Sequence, residues 1–256
     1  IIELRELEQG IKLDAISQEL KFFLINAVFD KPAKSAILNM ISSTGFYSCT
    51  QCLQKGQSMN TTTGTVRVYP YIEENPTGPK RTHTSYENDL ISREITKAKS
   101  FNGVKGRSML NLLELFSPVE SVCIDYMHSV LEGVVKNLMA HWFDPEFSDK
   151  EFSLRKYMQE IDSRLKSIRP PTFVSTAPRS IFIWKIWRAH EFLHFIIYYS
   201  LPILMNIFSP VFYRNLTKLV TFLEQLLSRK INKQNLNNMQ NLICSFVAQA
   251  SQLYSN

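Results

Sequence analysis

Four cysteines in 256 residues, only two of them close together, are too few for the disulfide framework of a small secreted domain, so a reducing compartment is the better reading. With eight glycines and no repeat at collagen or solenoid periods, the sequence is neither fibrous nor a repeat array. The opening IIELRELEQG is charged and carries no signal peptide, and because residue 1 is Ile the chain reads as a fragment. One run, Phe192 to Tyr213, lacks Asp, Glu, Lys and Arg over a length that could cross a bilayer. His194, Asn206, Pro202 and Pro210 interrupt it, which suits two pieces of a packed helical core better than a span. A membrane protein built around it would need detergent for extraction. What is present is ordinary globular composition, 45% hydrophobic and 20% charged, enough for one large or two modest domains. Lys and Arg number 29 against 23 Asp and Glu, and the net charge of +6 favours a polyanionic partner such as nucleic acid.

Along the chain, the apolar run LKFFLINAVF (20–29) predicts a strand buried on both faces, with Asp30 at its carboxyl end. Pro32 opens a helix over AKSAILNMIS that Gly45 ends before the GFYSCTQC knuckle. Residues 57–82, rich in Thr, Asn, Pro and Gly, predict a loop-dominated insertion with one short strand at 65–71, and a polar helix fills 84–100. From Asp125 apolar residues recur at three- and four-residue steps up to the DPEF turn, an amphipathic helix. Everything from 149 onward is helical in pattern: 149–168, 180–200, 202–208, 211–229 and 233–254, with breaks at RPP (169–171), Pro202, Pro210 and 230–232. The expected fold is therefore α/β at the front, mostly α-helical behind, and helix-rich overall.

Three groups of residues could carry chemistry. Cys49 and Cys52 have the spacing that brings two thiolates to one tetrahedral zinc. Further ligands could come from His83 or from Asp125 and His128, which lie three apart at a helix start. The alternative is two plain thiols, a helix-capping Asp and a core His. A thioredoxin-type redox role is less favoured, because the CxxC does not open a helix after a strand. Asp30 sits where α/β folds present reactive groups, and it could equally cap the following helix. Glu191 lies in a segment apolar on nearly every face, so its carboxylate needs a metal or a cation such as Lys185, Arg188 or a His.

Taken in order, FDKPAKSAIL, STGFYSCTQCLQKG, RVYPY, RTHTSYEND, FNGVKGRSML, CIDYMHSVLEGVVKNLMAHW, IRPP, APRSI and WRAHEFLHFIIYYSLPIL resemble the transposases of CACTA (EnSpm-like) DNA transposons, over essentially the whole chain. The resemblance implies an RNase H-like core in which three acidic residues hold two Mg²⁺ or Mn²⁺ ions for phosphodiester hydrolysis and strand transfer. It also implies double-stranded DNA (transposon ends) as partner and the nucleus as location, with an oligomer left open. Asp30 matches the second acid, in a CDAPAKS-like motif where Phe29 replaces Cys and Lys31 replaces Ala; Glu191 matches the third, with Phe192 where relatives carry Trp. Cys49 and Cys52 match the family's CxxC, and Asp125 and His128 its [C/D]xxH motif, while Ser43 and Thr44 stand where relatives often have a His. The D-G-L-P-like motif bearing the first acid does not occur in this sequence.

The expected organisation is a partial RNase H-like core without its first strands at 1–56, a loop-rich insertion at 57–124, and a helical region from 125 to 256 carrying DYMH and the third acid. The expected function is a transposase-derived domain, inactive by itself. The alternative is a domesticated module on the same fold that binds DNA or protein without chemistry.

Overall fold

The helix-rich class expected from the sequence holds, with small sheets added to it. The computed structural model describes residues 1–12, 18–61, 64–174 and 176–254, and it divides into two units, Ile1–Asp125 and Tyr126–Asn256, each with its own apolar core.

In the first unit, α1 (Ile2–Gln9) leads into β1 (Ile11–Lys12), which pairs antiparallel with β2 (Glu19–Leu20). The next segment departs from expectation. Of LKFFLINAVF only its first residue, in β2, and β3 (Ala27–Val28) are strand, and β3 pairs in parallel with β6 (Val122–Cys123). Phe22, Phe23, Ile25 and Val28 are exposed. An apolar run becomes a strand buried on both faces only where neighbours flank and cover it, and among the described residues a two-residue partner is all it has. An RNase H-like sheet is accordingly not assembled among the described residues, whose strands form three separate pairs.

Asp30 ends this segment and starts α2 (Lys31–Ile37), a shorter helix than AKSAILNMIS suggested, closing well before Gly45. The stretch 57–82 is more ordered than its composition implied. β4 (Gln57–Thr61) and β5 (Gly64–Val68) pair antiparallel over five residues, with β4 wholly exposed. A solvated hairpin has no apolar alternation to betray it in sequence. Thr82 caps α3 (His83–Thr96), exchanging hydrogen bonds with Ser85. Leu38 and Met40 share one core with Tyr86, Leu90, Val104 and Leu110, so residues 57–124 are packed into the same unit as 1–56.

A buried ion pair organises that unit. The Arg81 guanidinium donates to Asp89 Oδ2 at 3.0 Å, and both side chains are nearly or fully out of solvent. Asn102 donates to the other Asp89 oxygen at 2.8 Å, and Arg81 also donates to the carbonyls of Cys49 and Asn102. One cation thus ties the cysteine knuckle to α3 and to the turn at 102. That turn crosses the knuckle closely: at Gly103, with φ +84°, a Cβ would lie 2.2 Å from the carbonyl oxygen of Tyr47.

The second unit begins with a wide-turned π-helical stretch, Met127–Val135, continuing as α4 (Lys136–Phe143) and ending at Asp144 as the DPEF turn predicts. The wider turns rotate the apolar stripe, which leaves Met127 and Val134 exposed while Leu131, Val135, Met139 and Trp142 are buried. Within 149–168 only α5 (Met158–Ser167), preceded by one 3₁₀ turn, is helical. The expected helix 180–200 is two elements. A 3₁₀ stretch, Ile181–Ile186, is tied to α5 because Asp162 accepts from Ser180 Oγ at 2.6 Å and Ile181 N–H at 2.8 Å. The chain extends at Trp187 and Arg188, and α6 (Ala189–His194) starts afresh.

A five-residue π stretch then leads into α7 (Ser200–Leu204). Pro202 does not break this helix; the wide turns before it accommodate the carbonyl that a missing N–H leaves over. α8 (Pro210–Leu226) and α9 (Leu236–Leu253) complete the unit, with Asn215 Nδ2 donating to Phe246 O at 3.1 Å between them. Trp142, Phe152, Phe208 and Phe212 belong to its aromatic core. No helix among the described residues is long and apolar enough to cross a membrane.

Removing one partner of the Arg81–Asp89 pair strands a buried charge. Asp89→Ala is therefore expected to destabilise the first unit by about 3–5 kcal/mol, read as a lowered urea midpoint. A loss below about 1 kcal/mol would mean that the pair does not organise this unit.

Candidate functional site

Asp30 is exposed, and its Oδ1 accepts the Ala33 N–H at 2.7 Å. It is the N-cap of α2, with Pro32 in the first turn, the reading that its sequence context offered beside the catalytic one.

Cys49 and Cys52 face each other in the knuckle. The Cys52 thiol donates to the Cys49 sulfur, and the Gln51 N–H adds a second bond to it at 3.3 Å. The hydrogen bond from Cys52, opposed by burial and helped by the local amides and the charge of Lys34, brings the Cys49 thiol down to about 5. The same bond and burial push the Cys52 thiol up. The pair is therefore arranged to carry a negative charge on Cys49 in preference to Cys52.

The other proposed ligands are distributed differently. His83 opens α3, its Nδ1 3.5 Å from Ser117 Oγ, and Asp125 ends the first unit while His128 belongs to the second. Neither Asp125 nor His128 is without a partner. Among the described residues no three His, Cys, Asp or Glu side chains gather closely enough to hold a metal ion. Two thiols alone do not close a tetrahedral zinc site, so Cys49 and Cys52 as placed do not fit structural zinc without further donors.

Glu191 is not mid-helix but in the first turn of α6. Its Oε2 accepts the Arg188 N–H at 2.7 Å, which caps the restarted helix. Arg179 grips it from outside: Nε donates to Oε1, and Nη2 donates to Oε2 at 2.7 Å and to Ile186 O at 3.0 Å. The cation that the sequence demanded is thus present, though it is Arg179 and not Lys185, Arg188 or a His. Burial works to raise the Glu191 pKa, but the bonds from Arg179 and Arg188 outweigh it and leave the carboxyl below its usual range. With Asp30 capping α2 and both Glu191 oxygens engaged, the two carboxylates as placed offer no ready seat for Mg²⁺.

Beside Glu191 a small cleft of about 20 Å³, room for about one water, is lined by Arg179, Trp187, His194 and Tyr199 among others. Trp187 and Tyr199 are 6% and 3% exposed, and Trp187 Nε1 and Tyr199 Oη are buried without a hydrogen-bond partner. Burial, together with the adjacent His190, holds His194 below the ordinary imidazole pKa.

Sequence reasoning missed Arg179, although the APRSI block contains it. It also missed the histidine pair at residues 190–194, which read His-Glu-Phe-Leu-His and whose four-residue spacing is the signal that could have found it. The chain matches no protein-family model, no curated protein and no solved structure.

Two measurements check these assignments. Iodoacetamide should alkylate Cys49 with a pH midpoint near 5, and Cys52→Ala, which removes the thiol donor, should move that midpoint upward; equal rates at Cys49 and the exposed Cys123 at pH 6 would contradict the thiolate. For Glu191, whose folded pKa is lowered, the pair contributes stability above the ordinary glutamate range and loses it as pH falls through the folded value. Arg179→Ala should raise the Glu191 pKa in a carboxyl NMR titration and flatten the acid limb of the stability profile, and an unchanged titration would contradict the clamp.

Proposed function

We propose that the chain is a transposase-derived domain of CACTA type that engages duplex DNA through its helical unit and does not by itself cut it. The observation that carries this reading is the ordered set of motif blocks running through the whole sequence, from FDKPAKSAIL to WRAHEFLHFIIYYSLPIL. The parent reaction on this reading is Mg²⁺- or Mn²⁺-dependent cleavage and transfer of DNA strands in the nucleus, with Asp30 and Glu191 standing for two of three acidic residues.

Two features support DNA engagement without cleavage. No D-G-L-P-like block occurs in the sequence, and both oxygens of the Glu191 carboxylate are already engaged by Arg179 and the Arg188 N–H. A two-ion mechanism needs carboxylate oxygens free to bridge the metals. The charge is also unevenly divided. Residues 1–125 contain 14 Lys and Arg and 14 Asp and Glu, whereas residues 126–256 contain 15 against 9, so the whole excess lies in the helical unit. Arg229, Lys230 and Lys233, all exposed around the turn between α8 and α9, form a basic edge suited to phosphates.

The test is duplex binding across a salt series together with nicking of supercoiled plasmid. Binding should show little sequence preference and weaken steeply with salt, and replacing Arg229, Lys230 and Lys233 by Ala should reduce the log–log salt slope by roughly 0.9 for each phosphate that is no longer neutralised. No nicking is expected with Mg²⁺ or Mn²⁺. Mn²⁺-dependent nicking abolished by Glu191→Gln would overturn the inactive reading, and salt-independent or absent DNA binding would overturn the reading as a whole.

A further inference from the structure

Residues 190–194 place two imidazoles four apart on one helix, with rings 5.9 Å apart between centroids and inclined at 67°. At that spacing both rings rise from the same face of α6, where a single ion can reach a nitrogen of each. His190 is exposed and His194 half-buried, lining the cleft, so neither ring is locked into the core. Glu191 does not share their role, since Arg179 and the Arg188 N–H hold its oxygens. A metallopeptidase centre, which needs that glutamate as a free base and a third protein ligand, is therefore not assembled among the described residues. What α6 does supply is two imidazoles at i and i+4, enough for an open site completed by water or an oxyanion and not for a closed structural zinc.

We propose that His190 and His194 bind one divalent transition-metal ion of the Zn²⁺, Cu²⁺ and Ni²⁺ class on their shared face of α6, beside the cleft that His194 lines. Neutral imidazole is a ligand for Zn²⁺, Cu²⁺ and Ni²⁺ and a poor one for Mg²⁺, so the site is chemically distinct from any carboxylate site for strand transfer. The unpartnered Trp187 Nε1 and Tyr199 Oη provide the second observation. Both are buried donors lining the cleft that His194 also lines. A ligand oxygen admitted to that cleft on the side of His194 would give them an acceptor, whereas leaving them unpaired costs their desolvation. The site uses neither Asp30 nor the basic edge, and it stands or falls independently of DNA binding.

The experiment titrates the full chain carrying Cys49→Ser and Cys52→Ser with Zn²⁺ by calorimetry, so that the thiol pair does not contribute. One ion per chain is expected, with at least about tenfold weaker binding when His190→Asn is added, the loss typical of disturbing a metal's coordination. Because the cysteine variant could fold poorly, wild-type protein is examined in parallel with substoichiometric Cu²⁺ by NMR. The ring protons of His190 and His194 should broaden before those of His83, His128 and His141. Absence of a bound ion in the cysteine variant with its fold intact, undiminished affinity after His190→Asn, or broadening shared evenly by all five histidines overturns the proposal.

Discussion

The carboxylate of Glu191 governs the most polar part of the helical unit. It accepts two bonds from Arg179 and one from the Arg188 N–H, and each has a structural consequence. The bond to Arg188 lets α6 restart after the extended residues Trp187 and Arg188, supplying an acceptor to an amide at the helix start that has no intrahelical partner. The bonds to Arg179 fix the chain before the 3₁₀ stretch, which Asp162 anchors through Ser180 and Ile181. The cleft lies between these two anchored segments, and His190 and His194 are presented by the helix that the same carboxylate caps. An acid chosen from sequence as a metal ligand is thus already the hub of a hydrogen-bond network, and the network meets the need of a partly buried carboxylate for charge compensation.

Arg81 plays the corresponding part in the first unit, with the difference that its pair is inside. Its guanidinium serves a carboxylate on α3 and main-chain carbonyls on two turns, work that requires several donors in a planar fork and that lysine could not reproduce. The cysteine pair depends on this frame. Arg81 donates to the carbonyl of Cys49, and its charge lies near enough to both sulfurs to be felt by them. The Cys49 sulfur therefore sits in a polar, hydrogen-bonded corner whose donors and nearby cations lower its pKa.

Much of the helical unit was legible because its signals are local. The amphipathic run after Asp125, the stop at DPEF, the RPP break and the two terminal helices follow from residue spacing, capping and proline within a few positions. What was not legible is how wide a helix winds. The π-helical stretches at Met127–Val135 and Phe195–Tyr199 displace the buried face and carry the chain through Pro202, and neither leaves a mark in an apolar pattern read at 3.6 residues per turn. Glu191 shows the same limit at a site. Composition indicated that a carboxylate there needs a cation, but which cation meets it depends on how Asp162 anchors a segment twelve residues away from it in sequence.

The run LKFFLINAVF separates the two kinds of information most clearly. Its apolarity is a local fact, yet only Ala27–Val28 and the first residue, Leu20, are strand, while Asp30 caps a helix as its position after the run suggests. Burial on both faces is not local, because it requires strands on either side and layers above and below. The described residues supply a parallel partner at Val122–Cys123 only, so the phenylalanines at 22 and 23 remain in solvent while Ala27 and Phe29 reach the core of the first unit. Sequence thus dictated the place of its acid at the helix start, whereas how much of the run becomes strand, and what covers it, is set by which other strands the chain brings to it.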